Sequence, residues 1–83
     1  MSTNASSSRP DDEIVALLSR WLAGRLTNDE LRRSIEAVGT DELAPDHAEA
    51  VQELLRELEL AGPGERGEVE KVLRETFETL ALG

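Results

Sequence analysis

Glu13 to Val38 reads EIVALLSRWLAGRLTNDELRRSIEAV, and the fold turns on how this stretch divides at Gly24. Before the glycine, Ile14, Leu17, Leu18, Trp21 and Leu22 fall at the i, i+3, i+4, i+7, i+8 spacing of a helix with one apolar stripe. At 100° per residue these five fill an arc of about 140°, with Glu13, Ser19 and Arg20 outside it. Trp21, the one tryptophan, lies inside the arc and is the largest side chain available for a core. The spacing predicts a helix over about 12–23, opened by Pro10 and the acids Asp11 to Glu13, which suit the positive end of a helix dipole. Gly24 ends it, because glycine takes the left-handed conformation that terminates helices.

After the glycine comes a second start signal. Thr27-Asn28-Asp29-Glu30 spells a capping box, in which the threonine hydroxyl accepts a backbone N–H and Glu30 reaches back to that of Thr27. Leu26 and Leu31 flank it at hydrophobic-staple spacing. A helix over 28–38 follows, with a narrow stripe of Leu31, Ile35 and Val38, and Gly39 as its stop. Arg25 and Leu26 alone separate Gly24 from Thr27, so the two helices form a hairpin or a corner.

The segment LLSRWLAGRLTNDEL resembles the short helix–Gly–helix modules of the SHOCT type. The likeness lies in the apolar periodicity followed by Gly24, Leu26, Thr27, Glu30 and Leu31, and it covers less than a fifth of the chain. Such modules usually end a protein, whereas this stretch lies near the N-terminus. The resemblance implies a helical hairpin that mediates oligomerisation.

Working outward, Thr40 to Leu43 is a connector, and Pro45 fits the first position of a third helix over 45–61. Ala48, Val51, Leu54, Leu55 and Leu58 give that helix an apolar face, and Asp46, Glu49, Glu53 and Glu57 line the opposite side. Gly62-Pro63-Gly64 breaks the pattern. A fourth helix over 66–81 carries Val69, Val72, Leu73, Phe77 and Leu80. No strand-like alternation appears. The expectation is therefore all-α: a compact four-helix bundle in a single helical domain over 11–83, preceded by a disordered tail over 1–10. That tail begins MSTNASSSR, which is too polar to offset the entropy of ordering it. Beyond the first stripe, the predicted core is Leu31, Ile35, Val51, Leu55, Leu58, Val69, Leu73, Phe77 and Leu80.

Charge narrows the functions. Eighteen acidic against nine basic residues give a formal net charge of −9. Nucleic-acid backbones and anionic membranes repel such a surface, and two aromatic side chains are too few to stack bases. The absence of cysteine removes disulfides, thiolate nucleophiles and cysteine metal sites. No apolar run approaches the ~20 residues of a membrane-spanning helix, and no secretory signal is seen. A cytoplasmic protein is expected.

The chemistry-bearing patterns are weak. Gly62, Gly64 and Gly67 match the letters G-x-G-x-x-G, but they follow a helix where a dinucleotide site needs a strand. They read as a loop. His47, the one histidine, has Ala50 and Val51 one turn along, so its own helix offers no second ligand or acid–base partner. It is expected exposed or partly packed. Glu49, Glu53 and Glu57 lack a calcium loop, and they read as a solvated face or a docking face for a basic partner. No residues combine nucleophile, base and oxyanion donor, so no enzyme, cofactor or metal is expected.

Two non-catalytic functions follow. In the first the chain is a small acidic protein–protein interaction or assembly module, forming a weak homodimer through surface near Val15, Arg25 and the Gly24 turn. In the alternative it is an acidic inhibitor of the antitoxin or immunity-protein kind, covering a basic site on a partner with Glu49, Glu53 and Glu57.

Overall fold

In the computed structural model, which describes residues 10–62 and 64–82, the order is α1 (Pro10–Leu22), α2 (Asn28–Val38), α3 (Pro45–Leu60) and α4 (Gly67–Leu82). The tail expected over 1–10 lies outside the described residues except for Pro10. α1 packs on α2 and α4, α2 on α3, and α3 most extensively on α4, which closes a ring of four helices around one core. This is the expected all-α bundle.

Local chemistry sets the helix ends. α1 begins two residues before the expected start, with Pro10 in the first turn and Asp11, Asp12 and Glu13 beside it. Its other end is a Schellman motif: Arg25 N–H donates to Arg20 O at 2.9 Å and Gly24 N–H to Trp21 O at 3.0 Å. Gly24 holds φ at 78°, the left-handed region. The capping box at α2 is complete, with Glu30 N–H donating to Thr27 Oγ1 at 3.1 Å and Thr27 N–H to Glu30 Oε1 at 3.0 Å. Gly39, at φ 84°, stops α2. α3 starts on Pro45 and ends at Leu60, one residue short of the expected limit, while α4 runs from Gly67 to Leu82, one residue later at each end.

Ten predicted core residues are buried, among them Trp21, which has no exposed surface. Four are not. Leu17, Leu22, Leu55 and Phe77 are half-buried and pack against the rim of the core. The reason is where each stripe is centred. Along α3 the inward line is Val51, Leu54 and Leu58, which puts Leu54 inside and Leu55 at the edge. Along α4 it is Val69, Leu73, Thr76 and Leu80, so a threonine takes the inward place beside Phe77. The Thr76 hydroxyl lies 3.0 Å from Val72 O and 3.3 Å from Ala50 O, giving the buried donor an acceptor on its own helix and on α3. Leu43, read as connector, also enters the core.

Candidate interaction surface

The hairpin of α1 and α2 is held in place by polar groups at its turn. The indole Nε1 of buried Trp21 donates to Asn28 Oδ1 at 2.8 Å. Asn28, itself buried, donates through Nδ2 to Glu65 O at 2.8 Å and Gly62 O at 3.2 Å. Arg66 lies over the Trp21 ring, 3.7 Å from its centroid, and its Nη2 donates to Trp21 O at 2.6 Å. That carbonyl, which also accepts from Gly24 N–H, belongs to the last turn of α1, where the negative end of the dipole favours a cation. The glycine-containing loop thus anchors α1 and α2 to the start of α4. Nothing local in the sequence marks Asn28, an asparagine after a cap, or Arg66, a loop arginine, as reaching across the bundle.

Held this way, α1 and α2 present a shallow outer groove of about 370 Å³. Ala16, Leu17, Ala37 and Val38 give it apolar lining, and Ser34 lies among them. Glu13 and Arg20, both exposed, also line it from α1. The two are seven residues apart, so they share a helix face about 10 Å apart along the axis. Neither forms an ion pair among the described residues. The half-buried position of Leu17, a departure from the expected core, adds a large apolar side chain to this lining.

The sequence-named candidates sit elsewhere. Val15 is half-buried and packs against the core, and Arg25 is exposed beyond the end of α1; neither lines the groove. Glu49 and Glu53 are exposed and Glu57 is half-buried on α3. No ion pair among the described residues uses these three.

Charge is divided unevenly between the halves of the bundle. Residues 10–38 carry six acidic and four basic side chains, whereas residues 39–83 carry twelve and four. Within the hairpin two of the four bases, Arg32 and Arg33, meet acids one turn away. Arg32 pairs with Asp29 at 2.8 Å and Glu36 at 3.4 Å, and Arg33 with Asp29 at 3.1 Å. The hydrogen bond to Asp29 is the main cause holding the Arg32 guanidinium above its usual pKa. A second hollow of about 340 Å³, between the start of α2 and the end of α3, is lined by that same pair together with Asn28 and Leu58.

His47 departs from expectation. It is buried at the start of α3, with Nδ1 3.7 Å from Asp11 Oδ2 of α1 and no hydrogen-bond partner among the described residues. Reading along its own helix could not find Asp11. Among the described residues no cluster of three or more His, Asp or Glu is placed to hold a metal ion. No described helix is long and apolar enough to cross a membrane. No family model, curated protein or solved structure matches the chain, so the helix–Gly–helix resemblance rests on the residues that carry it.

Proposed function

We propose that this chain is a small helical assembly module that works by protein–protein contact, without catalysis. The observation that supports this reading is the groove on α1 and α2. It exposes Ala16, Ala37 and part of Leu17 on the less acidic half of the bundle. Apolar surface between complementary charges suits an interface with an apolar centre and a polar rim.

A second reading, an acidic inhibitor of a basic protein, draws on Glu49 and Glu53, which are exposed and without ion pairs among the described residues. Salt separates the two, because exposed charge pairs are screened within about 8 to 10 Å at physiological strength. The test is affinity capture from an extract of the native host, repeated across a salt series and with Ala16→Arg, which fills the groove. For an assembly module, the partner persists into high salt and is lost with Ala16→Arg at unchanged helix content. A partner released by salt and indifferent to Ala16→Arg overturns this reading in favour of the acidic face.

A further inference from the structure

We infer that the partner of the α1–α2 groove is a second copy of this chain, packed about a two-fold axis that crosses α1 near Ala16 and Leu17. This inference rests on the assembly reading above. A two-fold contact is self-complementary: whatever one end of the face presents, the other end of the copy must accept. The groove meets that condition. Glu13 and Arg20 lie on one face of α1, two turns apart, with Ala16 and Leu17 between them. When two copies of α1 lie antiparallel, Glu13 of each protomer faces Arg20 of the other. Both ion pairs are then satisfied by symmetry, and neither residue is engaged in one among the described residues of a single copy.

Side-chain size and net charge agree with this arrangement. The exposed residue nearest the axis is Ala16, with Ala37 exposed on α2, so two backbones can approach closely over Leu17 and Val38. Two chains of charge −9 repel each other overall. Meeting through residues 10–38 puts the near-balanced halves in contact and turns the strongly acidic halves outward. α3, with five acidic residues and one basic, offers no such balance.

Charge reversal across the two-fold supplies the test. Sedimentation equilibrium of the full chain, from about 10 μM to 1 mM at physiological salt, covers the range in which so small a face associates. The average mass of the parent is expected to rise from 9.1 kDa toward twice that value. Glu13→Arg alone sets like charges opposite each other at both contacts, as does Arg20→Glu alone, and each is expected to weaken self-association at least about tenfold. An equimolar mixture of the two variants restores opposite charges at both contacts and recovers the parental association. Both residues are exposed, so circular dichroism is expected to find both variants helical; Ala16→Arg gives an independent block through bulk. A parent that stays at 9.1 kDa up to 1 mM overturns the second copy as partner, as does a mixture that remains monomeric while the parent dimerises. Either result leaves the capture experiment to decide whether the groove takes a different protein.

Discussion

Trp21 and Asn28 are joined by a 2.8 Å hydrogen bond from the indole Nε1 to Oδ1, which spans the turn between α1 and α2. The bond satisfies the one polar group on the largest core side chain. It also orients the Asn28 amide so that both of its protons meet carbonyls of the α3–α4 loop, at Gly62 and Glu65. A buried polar cluster with every member paired stiffens the structure, whereas a partly paired one costs stability. Two helix connections are thereby fixed to each other by one side chain.

Removing that side chain has a predictable cost. Asn28→Ala strands the indole N–H and two loop carbonyls, and is expected to destabilise the bundle by about 2 to 4 kcal/mol in urea denaturation. Asn28→Asp is the sharper control. It keeps an acceptor for Trp21 but cannot donate to Gly62 or Glu65, so it too is expected to lose more than about 1 kcal/mol. A double-mutant cycle with Trp21→Phe should return a coupling of about 1 kcal/mol between the two positions. Stability within about 0.5 kcal/mol of the parent for both Asn28 variants means that the cluster contributes nothing.

What the sequence reveals divides by range. The capping box, the two glycine stops and the ion pairs Arg33–Asp29 and Arg74–Glu70 are legible because each is made within one or two turns. The stripes give four helices for the same reason. Asn28, Arg66 and His47 are not legible, since the groups they meet are distant in the chain: Gly62 and Glu65 for Asn28, Asp11 for His47, and for Arg66 an acceptor 45 residues away. Periodicity also locates a stripe only to within one residue of rotation, so it does not separate Leu55 from Leu54 or Phe77 from Thr76 as the inward residue. The groove is invisible for a further reason: it lies between two helices, and its apolar lining of Ala16, Leu17, Ala37 and Val38 comes from pairs of residues 20 or more positions apart.

The turn offers a test of backbone conformation isolated from packing. A Cβ at Gly24 meets no heavy atom within 4 Å, so Gly24→Ala costs only the left-handed φ of 78°. The expected loss is about 1 kcal/mol, from the clash of Cβ with its own carbonyl. Thr27→Ala, three residues on, removes a side-chain cap and is also expected to cost about 1 kcal/mol, by a different route. Thermal melts with urea midpoints check both. A Gly24→Ala variant as stable as the parent means that the turn relaxes to another conformation.

His47 makes the opposite prediction, a gain on losing a polar group. Its Nδ1 is buried without a hydrogen-bond partner among the described residues, and the nearest carboxylate oxygen, Asp11 Oδ2, stands at 3.7 Å, beyond hydrogen-bonding range. An unpaired buried polar atom costs about 1 to 3 kcal/mol relative to a satisfied one. Leucine has a similar volume and no polar atom to satisfy, so His47→Leu is expected to be as stable as the parent or more so, by up to about 2 kcal/mol. His47→Ala separates packing from polarity, since it removes the unpaired nitrogen but leaves a cavity, and it should fall below His47→Leu by about 1 kcal/mol or more. Asp11→Asn is expected to change stability by only a few tenths of a kcal/mol, the effect of one fewer acid in the first turn of α1. Urea denaturation of the three variants at neutral pH decides the matter. If His47→Leu is less stable than the parent by more than about 1 kcal/mol, the imidazole makes a stabilising bond and its burial is not a cost.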